Sequence, residues 1–433
     1  MTATTHALGV VQRGESLLYA TLLQLTVIVL AGRLAGMAAQ RVGQAVVIGE
    51  IVVGILLGPS LFGWAAPGLF DRVFGSQPQE PLQLLANLGL VLLMFEIGLE
   101  FDFRHLSARA GRATALRVAA AALLLPFALG CALGYWLAPT VAPGLPRLPC
   151  ALFVATAFSI TALPVLGRIL LELDLAQTRL GVLAISAAAI NDVVGWLLLA
   201  MLTALSLSQF DLSTFSLRVA GVAVFVVVVV FLVRPLLRRV IRATMPRPGT
   251  LSPSLFAILL AVVFSAGMVT YRLGVFAMFG GFMMGVILYD ETELVRAWRD
   301  RVGAFVAVLF MPLYFTYTGL RTTIGGLEGL TDWTACVALI AVATVGKLGG
   351  AYLASRSAGV SRAESAALGF MMNTRGLMEL VVLNVGLDLG VISSRLFTML
   401  VLMAIVSTVI TTPALRRCLR RAGYVAAGRG LTQ

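Results

Sequence analysis

The stretch "AAAINDVVGW", residues 187–196, places an amide and a carboxylate, Asn191 and Asp192, side by side in a long apolar run. A charged side chain at mid-membrane depth costs about 2.5–3.5 kcal/mol on insertion scales, so acidic residues there are rare and usually functional. The apolar run extends from 178 to 205, which is long enough to cross about 30 Å of hydrocarbon. The role of Asp192 therefore depends on whether this run spans a bilayer.

The whole chain has the composition of a polytopic helical membrane protein. Only 12% of its residues are charged and 59% are hydrophobic, and apolar runs of roughly 20 residues recur from end to end. We expect no cleaved signal peptide, because the first apolar run begins near Ser16 and no cleavage site and soluble domain follow it. The scattered single cysteines predict neither a disulfide framework nor a zinc site.

The apolar runs predict about thirteen transmembrane helices in one membrane domain. Their predicted bounds are 16–38, 45–64, 82–101, 113–137, 148–171, 178–205, 214–241, 253–271, 274–289, 300–320, 331–354, 363–387 and 395–415. Connections rich in arginine alternate with connections that carry about one, so the positive-inside rule places the C-terminus in the cytoplasm and the N-terminus outside. The net charge of +12 therefore reflects topology and does not indicate nucleic-acid binding.

An internal repeat is visible when the two halves are aligned. "GEIVVGILLG" (49–58) is similar to "FGGFMMGVIL" (279–288), and "FEIGLEFD" (95–102) is similar to "TYTGLRTT" (316–323). "FSITALPVLGRILLELDL" from Phe158 aligns with "MNTRGLMELVVLNVGLDL" from Met372, which sets Ser159 on Asn373 and Thr161 on Arg375. Six spans on either side of a linking helix, 214–242, make the second half inverted. Chance similarity of Gly/Leu-rich helices is the alternative, but inverted repeats are typical of secondary transporters.

Asp192 is the best candidate for binding a monovalent cation. A hard alkali ion prefers oxygen ligands, and one carboxylate can hold either the ion or a proton, which is the minimum that an antiport mechanism needs. Asn191 adds a neutral oxygen or orients the backbone. The alternative is a structural aspartate that caps an interior helix break.

The span containing Ser159, Thr161 and Pro164 is predicted to be a broken helix. Proline removes a backbone donor and frees the carbonyl of Ile160, and serine or threonine hydroxyls can bond the opened backbone. Broken helices occur in membranes where they are buried or water-lined, and their freed carbonyls suit ion coordination, so Ser159 and Thr161 are candidate ion ligands. A simple proline kink is the alternative.

The matching span in the second half contains Asn373, Arg375 and Glu379. Arg375 and Glu379 are spaced i, i+4 and are predicted to pair on one helix face. We expect these three residues to compensate charge and half-helix dipoles where the two interrupted helices cross.

Lys347 is the only lysine in the sequence and lies inside an apolar span. An ammonium is a compact point charge that can titrate or form a single ion pair, and we expect it to stabilise the ionised or empty site by ion pairing. The alternative is a lysine that snorkels to the interface. His6 and His105 lie outside the spans, so the proton is assigned to Asp192, with Lys347 as the second titrating group. Glu96 either faces the pathway, pairs with an arginine or lies near the interface.

Five motifs together carry a resemblance to a known family: "GEIVVGILLGPS", "FEIGLEFD", "INDVVGW", the lysine in "TVGKLGGAYLASR", and "MMNTRGLMELVVLNVGLDLGVIS". Over almost the whole chain they resemble the second branch of the monovalent cation:proton antiporters, which includes Kef-type potassium efflux systems and plant cation/proton exchangers. The resemblance implies an all-α antiporter fold whose broken helices cross beside the ion-binding aspartate, Asp192. It also implies panel helices (1–112 and 253–330) that form a homodimer, and a mobile core (113–205 and 331–417) that contains Lys347.

One departure from the family concerns charge. Electrogenic sodium/proton members usually carry two aspartates where this chain has Asn191 and Asp192, so the resemblance implies electroneutral exchange of potassium or sodium for protons. We expect the protein to lie in a bacterial inner membrane. No cofactor is implied. We expect no cytoplasmic nucleotide-binding domain, because the chain stops soon after "RRCLRRAGYVAAGRG".

Two other classes of function fit the sequence less well. A proton-driven exporter of a small organic compound would need a wide apolar cavity, whereas the Gly/Ala-rich spans favour close helix packing. An intramembrane enzyme is disfavoured because the sequence has no HExxH, no Gly-x-Ser-x-Gly elbow and no phosphate loop.

Overall fold

The computed structural model describes residues 2–42, 44, 46–75, 80–99, 109–173, 175, 178–207, 212–244 and 251–424. These residues form helices and their connections, with no strand among them, which confirms the all-α prediction. The main helices are α1 (Thr2–Arg41), α2 (Val46–Leu56), α3 (Glu80–Leu99), α4 (Arg109–Val141), α5 (Arg147–Ser159), α6 (Leu163–Glu172), α7 (Arg179–Leu207), α8 (Leu212–Val228), α9 (Arg234–Thr244), α10 (Pro253–Arg272), α11 (Ala277–Val286), α12 (Thr292–Trp298), α13 (Met311–Leu320), α14 (Gly329–Ser357), α15 (Arg362–Met372), α16 (Leu377–Asp388) and α17 (Ser394–Arg421). Short π-helical turns extend or join some of them at Val229–Val233, Arg299–Gly303 and Val306–Phe310.

Within the described residues, eight helices are long and apolar enough to cross a membrane, and two bent helix pairs raise the number to ten. The bent pairs are Thr292–Gly303 with Val306–Gly326 (48°) and Arg362–Met372 with Leu377–Asp388 (42°). The other three predicted spans, 45–64, 148–171 and 274–289, contain shorter helices: α2, the pair α5 and α6, and α11. Every predicted span therefore contains a helix, although several are interrupted.

The chain packs as two compact units. One comprises Met1–Glu100, Val229–Met268 and Gly280–Ile324, and the other comprises Phe101–Val228, Val269–Phe279 and Gly325–Gln433. The division falls inside the predicted linking helix, where α8 passes into the π-helical turn Val229–Val233. The assignment of panel and core roles stays a prediction.

Two glycine contacts in the first unit reflect the internal repeat. A Cβ atom at Gly319 of α13 would collide with the backbone of Gly54 of α2, and one at Gly285 of α11 would collide with the backbone at Gly98 of α3. Such close backbone approach requires glycine. Each contact joins a helix from one half of the alignment to a helix from the other half, as two inverted repeats would.

Helices of the second unit approach each other closely at glycine residues. Gly350 of α14 packs against the backbone of Ala121 in α4, and Gly130 of α4 packs against Ala155 in α5. Helices α5, α6, α15 and α16 form the two interrupted spans inside this unit. These close contacts place the middle of α14, which carries Lys347, beside the first interrupted span.

Candidate functional site

The first interrupted span breaks at Ile160, Thr161 and Ala162. Helix α5 ends at Ser159 and α6 begins at Leu163, so Pro164 is the second residue of the new half-helix. Proline is tolerated there because the first turn of a helix has no intrahelical acceptor for its N–H groups. The predicted broken helix is confirmed, and the alternative of a simple proline kink is wrong.

The second interrupted span breaks between Met372 and Leu377, and the two breaks cross each other. The Ala162 N–H donates to the Thr374 carbonyl at 2.9 Å. The Thr161 hydroxyl donates to the Met372 carbonyl, the last of α15, at 3.1 Å. The two crossing broken helices of the predicted fold are thus joined by backbone and side-chain hydrogen bonds.

Arg375 makes the reciprocal contact with the other half-helix. Its Nη1 donates to the Ala157 carbonyl at 2.7 Å and its Nη2 donates to the Phe158 carbonyl at 3.2 Å. The last carbonyls of a helix lack intrahelical partners and carry partial negative charge, so a cation stabilises them. Thr161 and Arg375 are equivalent in the sequence repeat, and each caps the half-helix of the other span. One cap is neutral and the other is charged.

Lys347 binds the same half-helix end. Its side chain is fully buried and its Nζ donates to the Ser159 carbonyl. The alternative of a snorkelling lysine is therefore wrong. The expected ion pair with Asp192 is also absent, because Lys347 pairs with none of the described carboxylates. The physical reason is that three successive carbonyls at the end of α5 supply the negative partner for the two cations.

Arg375 and Glu379 form the ion pair that their spacing predicts. Arg375 Nη1 lies 3.1 Å from Glu379 Oε1, and both side chains are almost completely buried. Arg375 Nε and Glu379 Oε2 have no hydrogen-bond partner among the described residues. The positive charge of Arg375 and the negative charge of Glu379 therefore compensate each other inside the second unit.

Asp192 and Asn191 lie on α7 and are buried, with exposed fractions of 2% and 1%. The Oδ1 atom of Asp192 and both amide atoms of Asn191 have no hydrogen-bond partner within the described part of the chain. One turn along α7, a Cβ atom at Gly195 would lie 3.0 Å from Ile160 Cγ1 in the first break and 3.5 Å from Met378 Cε after the second. Asp192 therefore lies within about one helix turn of the crossing.

Ser159 and Asn373 use their side chains to hold backbone. The Ser159 hydroxyl lies 2.8 Å from the Ala155 carbonyl and 3.1 Å from the Leu123 carbonyl. Asn373 Nδ2 lies 3.4 Å from Thr411 Oγ1 and 3.5 Å from the Ser407 carbonyl, while its Oδ1 has no partner among the described residues. The hydroxyl hydrogens of the two candidate ligands Ser159 and Thr161 are thus bonded to backbone carbonyls.

Three polar residues of the last helix were not predicted from the sequence. Ser407, Thr408 and Thr411 are buried on α17 and contact the residues of the second break. Their signal in the sequence is the cluster "STVITT" (407–412) inside an otherwise apolar run. That cluster predicts a helix face that bonds to an opened backbone.

Glu96 belongs to the first unit. It lies on α3, half-buried, and a Cβ atom at Gly303 in a π-helical turn would lie 2.7 Å from its Oε1 atom. Asp192, Lys347 and Arg375 belong to the second unit.

A family model described as sodium/hydrogen exchanger, transmembrane, matches residues 25–421 of this chain. The chain belongs to the sodium/hydrogen exchanger family. It is an integral membrane protein, as its apolar helices indicate. The Na⁺/H⁺ antiporter NhaS4 of Synechocystis is 38% identical over 90% of this chain and 95% of its own length. The Cation/H⁺ antiporter 17 of Arabidopsis thaliana is 39% identical over 90% of this chain, which spans only 47% of that relative.

A solved structure shares the fold of this chain. The sodium proton antiporter MjNhaP1 from Methanocaldococcus jannaschii aligns with a TM-score of 0.61 over 93% of this chain and 97% of its own, at 14% identity. The sodium/proton antiporter fold expected from the sequence motifs is therefore confirmed.

Proposed function

We propose that this exchanger moves a monovalent cation in one direction and protons in the other, and that Asp192 binds the two in turn. The observation that supports it most is the state of the Asp192 carboxylate, which is buried and keeps one oxygen without a partner among the described residues. A buried carboxylate needs a compensating charge or a proton. The names of the relatives, which are cation/H⁺ and Na⁺/H⁺ antiporters, agree with this reading.

The nearby cationic side chains have other partners, so the Asp192 carboxylate is available to the substrate. Arg375 is engaged by Glu379 and by two carbonyls, and Lys347 is engaged by a third carbonyl. Neither cation therefore serves as the direct partner of Asp192. An alkali ion or a proton supplies the missing positive charge, and only one of them does so at a time.

Several finer features belong to the same proposal. The Asn191–Asp192 pair provides one carboxylate, so each cycle exchanges one cation for one proton and moves no net charge. The site alternates between the two sides of the membrane while the core moves against the panel of a homodimer. The membrane is a bacterial inner membrane, with the N-terminus outside and the C-terminus in the cytoplasm.

The proposal is tested with purified protein reconstituted into liposomes that contain a pH-sensitive dye. A potassium or sodium gradient should drive proton flux, and an imposed membrane voltage should leave its rate unchanged. The ion that drives flux at the lower concentration is the preferred substrate. A rate that follows the voltage would contradict electroneutral exchange, and flux that ignores both cations would favour transport of another solute.

Replacing Lys347 should change the pH response and the stability but should not abolish cation binding. Lys347→Ala removes one positive charge from the end of α5, and the remaining negative potential holds a proton or cation at the site more tightly. We therefore expect exchange to persist, with its pH optimum moved to higher pH and with lower thermal stability. Lys347→Arg keeps the charge and should move the optimum less. The measurement is exchange rate against pH in the same liposomes, and identical profiles for Lys347→Ala and the unmodified protein would contradict this role.

A further inference from the structure

Thr408 on the last helix holds the backbone of the second break. Its side chain is buried, and its Oγ1 lies 3.0 Å from the Arg375 backbone nitrogen. The same oxygen lies 2.9 Å from the Arg375 carbonyl and 2.9 Å from the carbonyl of Ala404, four residues earlier on α17. A hydroxyl has one hydrogen and two acceptor lone pairs, so Thr408 accepts from the Arg375 N–H and donates to one of the two carbonyls.

The Arg375 N–H needs this partner because it lies outside the helical ladder. Helix α15 ends at Met372 and α16 begins only at Leu377. A buried backbone N–H without a partner is destabilising. Asn373, two residues earlier, is bonded to Ser407 and Thr411 of the same helix. Helix α17 thus fixes the second break at two positions, Asn373 and Arg375.

The position of this backbone decides where the guanidinium reaches. Arg375 contacts the Ala157 carbonyl at 2.7 Å and the Phe158 carbonyl at 3.2 Å. A hydrogen bond of this kind is lost when the donor and acceptor separate beyond about 3.5 Å. A backbone shift of less than about 1 Å would therefore release at least the longer contact and expose the partial negative charge of the α5 carbonyls.

We propose that Thr408 is a positioning residue for the exchange reaction: by binding the Arg375 backbone it keeps the guanidinium on the last carbonyls of α5. The inference rests on the proposed function. Without Thr408, the carbonyl end near the crossing is less compensated and favours a bound cation or proton over an empty site. Release of either substrate then becomes slower, so the maximal rate and the KM for the cation fall together.

The test compares Thr408→Val, which removes the hydroxyl at constant shape, with Thr408→Ser, which restores it. Thr203→Val is a matched control, because the buried Thr203 hydroxyl donates to the Leu199 carbonyl of its own helix at 2.8 Å and has no other hydrogen bond within the described part of the chain. Potassium- and sodium-driven proton flux is measured in liposomes across cation concentrations. For Thr408→Val we expect both the maximal rate and the KM to fall about fivefold to tenfold, the effect of one buried hydrogen bond. Thr408→Ser should stay within about twofold of the unmodified protein on the same scale.

The outcomes separate the possible explanations. Loss of folded protein lowers the maximal rate but leaves the KM unchanged, so an unchanged KM for Thr408→Val would overturn the positioning role. Equal effects of Thr203→Val and Thr408→Val would overturn it as well. Asp192→Asn is measured in parallel: if it is inactive while Thr408→Val behaves like the unmodified protein, only this inference fails. If Asp192→Asn is active, the proposed function fails.

Discussion

Asp192→Asn abolishes cation-driven proton movement, reducing it to the level of vesicles that lack the protein. The amide keeps the shape of the side chain but can neither carry the charge that an alkali ion needs nor take up and release a proton. The carboxylate is buried and its Oδ1 atom has no partner among the described residues, so the substitution removes the group that is proposed to bind the cation and the proton in turn. The measurement is quenching or recovery of a pH dye in everted vesicles after addition of potassium or sodium.

Two further measurements show whether the loss of activity is caused by loss of the charge: the activity of Asp192→Glu and the thermal stability of Asp192→Asn. Asp192→Glu keeps the carboxylate and lengthens its stem, so it should retain part of the activity with a changed cation affinity. Asp192→Asn removes a charge from a buried position and should not reduce thermal stability, because an uncompensated buried charge is itself destabilising. Inactive but folded protein is the expected combination. Undiminished proton movement in Asp192→Asn would refute the proposed role of this residue.

The sequence predicted those features that depend on residue type and spacing. An intramembrane carboxylate is costly wherever it lies, so "AAAINDVVGW" predicted a functional span before any contact was known. Pro164 predicted the first break because proline cannot donate a backbone hydrogen bond. The i, i+4 spacing predicted the pair of Arg375 and Glu379, which lies at 3.1 Å.

The sequence did not predict which acceptor each cation would choose. Lys347 was expected to pair with Asp192, but it binds the Ser159 carbonyl. A pattern of side chains does not show where the end of a broken helix leaves carbonyls unpaired, and these carbonyls compete with carboxylates for buried cations. Thr408 was missed for the same reason, since its partner is backbone that only the break exposes. The sequence repeat did contain a signal for these contacts, because it aligns Thr161 with Arg375, and each of the two caps the half-helix of the other span.

Arg375→Met should produce the largest loss of stability of any substitution considered. It leaves Glu379 as a buried charge without its partner and leaves the carbonyls of Ala157 and Phe158 without donors. Breaking a buried ion pair by removing one member costs about 3–5 kcal/mol. Glu379→Gln should cost less, because Arg375 keeps its two carbonyl acceptors. Reversible unfolding in mixed micelles gives the free energy of unfolding for each variant.

The double variant Arg375→Met/Glu379→Met distinguishes the ion pair from the cap. If Arg375 served only to neutralise Glu379, removal of both charges would restore the stability, because an apolar pair often replaces a buried ion pair without loss. The two orphaned carbonyls of α5 predict a different result. Each unpaired buried acceptor costs about 1–3 kcal/mol, so the double variant should recover only part of the loss. Full recovery would show that the guanidinium does not stabilise the half-helix end, and would leave Lys347 as its only positively charged cap among the described residues.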